Sequence, residues 1–186
     1  MKGLLSNPFI KFLALFVILL ITWLSLYKNI YKLESSENGS PGIERQLSIL
    51  LGSHANIFSA FLGYTPELIL DDTTIVVTRI TDFKTSHGTW IGEPCNGLKV
   101  MGLFAIFIIA FQGSWKDKLW YIPMGAILIH LSNAIRVSAL TIIEATHPEY
   151  LDFNHNVTFQ ILIYGIIFGL WYIWVARFSN LNNSKS

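Results

Sequence analysis

Polar and apolar residues segregate along this chain in whole segments. Residues 9–27, 98–111, 119–143 and 157–178 are four long apolar runs. A bilayer crossing needs about 20 mostly apolar residues. The second run is short, but Gly97 and Gln112 extend it towards both interfaces. Residues 43–64 form a weaker block. There Ile43, Leu47, Leu50, Leu51, Ile57, Phe61 and Leu62 recur at helical spacing, with Glu44, Arg45, Ser48, Asn56 and Ser59 between them. That alternation predicts an amphipathic helix lying on the membrane or packed on the bundle. Residues 73–80 are dense in β-branched side chains, and 67–70 and 89–91 are shorter strand candidates. Residues 33–42 carry Ser35, Ser36, Asn38, Gly39, Ser40, Pro41 and Gly42, and read as a flexible loop in which Ser40-Pro41 could cap the next helix.

The fold expected from this pattern is an α-helical integral membrane protein. It has about four transmembrane helices, an interfacial helix, and a small β-rich extracytoplasmic segment between the first and second spans. Residues 1–31 hold the first transmembrane helix. Residues 32–93 hold the extracytoplasmic segment, with the amphipathic helix at 43–64 and short strands within 67–91. Residues 94–178 form a three-span core, and 179–186 a disordered cytoplasmic tail.

Composition agrees with the membrane reading: 52% of the 186 residues are hydrophobic and only 13% charged. A formal charge of +1, with no basic stripe interleaved with aromatics, sets nucleic acid aside as a partner. The first run is longer than a usual signal-peptide core and is followed by no small-x-small site. Trp23 and Tyr27 sit where interfacial anchors belong, so it reads as a retained span. Lys2 and Lys11, Lys116 and Lys118, and Arg177 and Lys185 mark three regions as cytoplasmic by the positive-inside rule. The connection at 144–156 has no Lys or Arg and carries Glu144, Glu149 and Asp152, so it faces outward, as does the segment from Lys28 to Pro94.

Candidate chemistry then falls on one leaflet. Cys95 is the only cysteine, at the polar-to-apolar boundary before the second span, so no intramolecular disulfide is available to it. Arg136 lies inside the third span, where a charge costs several kcal/mol unless paired or facing a wet cavity. His130, Asn133 and Arg136 follow at three-residue spacing and make one polar stripe, with Arg136 roughly 10 Å below the outer end of its helix. His155 precedes the fourth span, at the same surface as Cys95. Thiolate is favoured by a helix N-terminus, a histidine or a cation. Pro94 suits a first helical turn, and the amides after Cys95 would point the dipole at the thiol. A histidine can take the thiol proton and return it to a leaving amine, and a guanidinium can stabilise thiolate or oxyanion.

Pro94-Cys95-Asn96-Gly97, then Asn133-x-x-Arg136, then His155 before the last span resemble the Cys, Arg and His signature of the exosortase/archaeosortase family. The likeness covers roughly residues 93–178, and the short Asn-Gly form is similar to the compact exosortase F type. It implies a cysteine protease or transpeptidase of the bacterial inner membrane, active on the extracytoplasmic face without cofactor or metal. Its partners would be lipid and exported membrane-anchored proteins with C-terminal sorting signals: a short motif, one transmembrane helix and a basic end. Carried over residue by residue, Cys95 is the nucleophile, Arg136 the stabilising cation and His155 the base, with Asn133, Asn96 and Gly97 binding substrate or supporting the site.

Plainer readings stand beside these. A cysteine at a span edge can be small-residue packing, and Arg136 can be a structural pair for Glu144. His147, in the same outer loop, rivals His155 as base. His130 reads as a hydrogen-bonded packing residue. His147, Glu149, Asp152 and His155 make a weak metal-ligand pattern without His-Glu-x-x-His spacing. Gly165-x-x-x-Gly169 is a close-packing signal expected within the bundle. Two other functions remain open: a non-enzymatic membrane assembly or transport component, and a lipid-directed thiol acyltransferase.

Overall fold

The computed structural model describes residues 7–34, 42–70, 76–84, 86–92 and 95–179. The expected loop at 33–42 lies largely outside these residues; so do Glu93, Pro94 and nearly all of the expected tail. In order the elements are α1 (Pro8–Glu34), α2 (Ile43–Phe61), β1 (Pro66–Leu70), β2 (Val76–Ile80), β3 (Thr89–Trp90), α3 (Leu98–Ala110) and α4 (Trp115–Thr146). A 3₁₀ turn (Pro148–Tyr150), the single turn α5 (Leu151–Phe153) and a π turn (Asn154–Thr158) then lead into α6 (Phe159–Ile173) and a second π turn (Trp174–Phe178).

Among the described residues, three helical stretches are long and apolar enough to cross a membrane: Pro8–Asn29, Trp115–Thr146 and Pro148–Phe178. The expected second span forms as α3, but its 13 residues reach only about 20 Å against a hydrocarbon core of about 30 Å. The multi-pass character is therefore carried by three full-length helices, with a shorter apolar helix among them. The short helix ends in a defined way. Buried Lys118 donates its Nζ to the carbonyls of Ile109 (2.8 Å) and Phe111 (2.7 Å), groups that would otherwise lack partners at a helix C-terminus. Gly102 and Gly125 let the neighbouring helices approach: a Cβ at the first would collide with the Trp23 indole, and at the second with the Phe104 ring.

Two cores result. Phe104, Ile108, Tyr121, Ile129, Ile163, Ile167 and Trp174 fill the space between α3, α4 and α6. Phe12 and Phe16 of α1 pack edge-on against Phe107 from outside. The second core holds Leu51, Ala55, Val76, Ile91, Cys95, Ala134 and Val137, drawn from α2, the sheet, the Cys95 segment and α4. The sheet is antiparallel in the order β1-β2-β3, with Pro66 opposite Ile80 and Val77 opposite Trp90. Val76, Thr78 and Ile80 form its buried face, as period-2 alternation requires.

The amphipathic block is a helix, ending at Phe61 and not at residue 64, and it is no surface float. α2 runs along α4, pinned by His54 Nδ1 to His130 Nε2 at 2.8 Å and by Ser59 Oγ to Ser138 Oγ at 2.8 Å. The second pair accounts for the burial of one of its polar positions, Ser59.

Candidate active site

The turn that presents Cys95 is built by its own backbone. Gly92 O accepts from Cys95 N at 2.9 Å and from Asn96 N at 3.2 Å. Asn96 then turns its side chain forward, and Oδ1 accepts from Leu98 N at 3.0 Å. Gly97 adopts φ +81°, a left-handed conformation open to glycine at little cost, and α3 begins at Leu98. This corrects the expectation that Cys95 opens the helix. The thiol lies two residues ahead of the N-cap, and the amides of Asn96 and Leu98 are already occupied.

Asn133 joins this turn to α4. Its Nδ2 donates to Cys95 O at 2.6 Å, and its Oδ1 accepts from Arg136 Nη1 at 3.2 Å. A Cβ on Gly97 would lie 3.1 Å from Asn133 Nδ2, so the glycine is also needed for close approach. Asn133 and Arg136 are 4% and 8% exposed, and Arg136 Nε has no hydrogen-bond partner among the described residues. The guanidinium does not pair with Glu144. That carboxylate instead accepts from Ser86 Oγ (2.7 Å), His87 N (2.9 Å) and Gly88 N (3.2 Å), clamping the connection between β2 and β3 to the end of α4.

His155 Nε2 lies 3.8 Å from Cys95 Sγ, and its Nδ1 lies 3.1 Å from Asn156 Oδ1. It sits in a π turn at the head of α6, inside the helical run and not in a loop before it. Single π turns recur at functional sites because the extra residue re-aims a side chain. His147 points elsewhere, with Nδ1 3.4 Å from Glu149 Oε1 and its ring beside Tyr150. The structure thus brings together Cys95, Asn96, Gly97, Asn133, Arg136 and His155. His130 is bonded away to His54. Among the described residues, no group of three or more His, Cys, Asp or Glu side chains comes together as a metal site.

A cleft of about 90 Å³ adjoins this cluster. Gly97 and Val100 of the α3 side, Ile129, Asn133 and Arg136 of α4, and Phe159, Gln160, Ile163 and Tyr164 of α6 line it. Sequence reading missed Asn156 and Gln160, and gave Glu144 the wrong partner. Gln160 left a signal, as a lone amide in an otherwise apolar run.

The transmembrane exosortase family model (Exosortase_EpsH) matches residues 9–176. The chain belongs to this family. The match takes in nearly the whole of the three spanning helices, together with α3 and the segment between α1 and α3. Comparison with curated proteins and with solved structures found no match. Exosortase membership makes this a multi-pass membrane protein. It implies a cysteine-dependent transpeptidase or protease acting on proteins with C-terminal sorting signals.

Proposed function

We propose that this exosortase cleaves the C-terminal sorting signal of exported single-pass proteins at the outer face of the bacterial inner membrane, through a thioester on Cys95. The observation that carries the reading is the contact between Cys95 Sγ and His155 Nε2 at 3.8 Å, within the cluster that also holds Asn133 and Arg136.

The thiol proton passes to His155 Nε2, and the sulfur attacks the scissile carbonyl carbon. Asn156 Oδ1 supports this direction of transfer: accepting from Nδ1–H leaves Nε2 with its lone pair towards the thiol. The carbonyl oxygen becomes an oxyanion. Because the amides of Cys95 and Asn96 are spent on Gly92 O, the charge is met by a side chain, and buried Arg136 has donors to spare. Collapse breaks the C–N bond, the leaving amine takes the proton from His155, and a thioester remains. Water then yields a hydrolysed product, and an acceptor amine a transferred one.

Placement at the outer face rests on the Lys and Arg distribution. Co-expression with a tagged single-pass protein carrying a candidate signal tests the chemistry. Wild type gives a size shift; Cys95→Ala gives none while remaining inserted. A shift that persists in Cys95→Ala sinks the thioester and leaves a non-enzymatic role. Arg136→Lys keeps the charge but loses the planar fork, and cleavage falls about 100-fold. Labelling of Cys95 from the cytoplasmic side alone would overturn the topology.

A further inference from the structure

The cleft beside Cys95 has a buried polar floor and an exposed, half-polar rim. Asn133 and Arg136 form the floor, and Gln160 and Tyr164 stand exposed at the rim, with Val100, Ile129, Phe159 and Ile163 between them. Two of its walls step away from the thiol by about one helical turn: Gly97 to Val100 along α3, and Phe159 to Ile163 along α6. The cleft therefore runs from the Cys95 turn into the helix bundle. Three of its side chains carry uncommitted polar atoms. Arg136 Nε is buried without a partner, and neither the Gln160 amide nor the Tyr164 hydroxyl makes a hydrogen bond among the described residues.

Gln160 is the odd residue of α6. It is the only side-chain amide in Phe159–Ile173, and such a group facing hydrocarbon is unfavourable unless something completes its hydrogen bonds. A carboxamide offers one acceptor and two donors, the complement of a peptide N–H and C=O pair.

We infer that this cleft binds the main chain of the substrate on the C-terminal side of the scissile bond, with Gln160 pairing one of its peptide groups. The inference rests on the proposed function: a substrate anchored by a C-terminal transmembrane helix must send that side of the cut into the bundle, where the cleft leads. Gln160 is then a substrate-binding residue for the leaving segment, distinct from the bond-making group at Cys95 and His155.

Two measurements on the full-length protein in membranes test it with the tagged single-pass reporter. Gln160→Leu keeps the volume and removes both hydrogen-bonding functions. KM for the reporter rises about three- to tenfold, as loss of one or two hydrogen bonds requires, while kcat and the alkylation rate of Cys95 stay within about twofold. An unchanged KM overturns the inference. The second measurement does not depend on turnover. Because Cys95 is the only cysteine, Gln160→Cys in a Cys95→Ala background is a single-thiol probe. It should crosslink to reporter cysteines within a few residues C-terminal of the cut, whose position the product mass gives. Crosslinks only to the N-terminal side, or none, refute the assignment. If Cys95→Ala still cleaves, the proposed chemistry falls, and the crosslinks alone decide whether the cleft binds this segment.

Discussion

α4 and the last helical run are both long and apolar, yet they do opposite jobs. Over an apolar stretch of 18 residues in each, 44% of the residues of α4 are buried, against 11% in the run from Pro148 to Phe178. α4 carries Asn133, Arg136, Ser138 and Thr141, all buried and each with at least one hydrogen bond inside the protein. α6 shows Ile161, Leu162, Phe168 and Tyr172 outward and keeps its polar business at its head. Two helices of similar hydropathy thus divide into a scaffold with polar wiring and a lipid-facing wall with one chemical end. The difference is where each lies: α4 is covered by α2, the sheet and α3, so its polar groups have neighbours to satisfy them.

The sharpest test of that division is at the head of the run. His155→Ala should lower the cleavage rate by about two to four orders of magnitude, the usual weight of a positioned acid–base group. His147→Ala, eight residues earlier and turned to Glu149, should stay within about twofold. Equal losses in both variants would mean that the loop as a whole, and not one imidazole, serves Cys95. The readout is reporter turnover, normalised to inserted protein.

Glycines offer a second contrast. Gly97→Ala demands φ near +81° from an L side chain and pushes a Cβ to 3.1 Å from Asn133 Nδ2. The left-handed conformation alone costs about 1–2 kcal/mol. Thermal stability should drop accordingly, and cleavage should slow because Asn133 no longer seats on Cys95 O. Gly165→Ala should change neither, since nothing lies within 4 Å of an added Cβ there or at Gly169. That open space corrects the expectation that Gly165-x-x-x-Gly169 packs inside the bundle. A loss of stability in Gly165→Ala would show that this face is covered in the membrane.

What the sequence made legible follows the same line. Long apolar runs announce spans because nothing else explains them, and Cys95, Arg136 and His155 stand out as costly residues at their edges. The turn geometry around Cys95 was less accessible: Pro94 suggested a helix start at Cys95, but the Asn96 side chain bonds Leu98 N and the helix begins only there, three residues later. Long-range pairing was out of reach. His54 meets His130 across 76 residues, and Ser86 meets Glu144 across 58, contacts fixed by how α2 and the sheet dock on α4 and not by local spacing. The π turn carrying His155 was hidden for a similar reason, since a one-residue insertion in a helix has no hydropathy signal.

The smallest expected effect lies farthest from the chemistry, where the sheet meets water. Asp82 Oδ2 accepts from Thr65 N at 2.6 Å, beside the contacts from Thr81 that close the open end of the β1–β2 pair. The hydrogen bond from the Thr65 backbone holds the Asp82 carboxyl below its ordinary value. A depressed carboxylate stabilises the fold above its unfolded pKa, and that contribution is lost as pH falls through the lowered folded value. Protection of the Thr65 and Thr81 amides from hydrogen exchange should therefore weaken on acidification below the normal aspartate range. In Asp82→Asn the protection should be weaker at neutral pH and no longer change across that range. Because Asp82 is fully exposed and its side chain bonds only Thr65 at the open end of the β1–β2 pair, alkylation of Cys95 should not change in the variant. If it does, the sheet is coupled to the site through Val76 and Ile91 more tightly than the division between wired scaffold and surface allows.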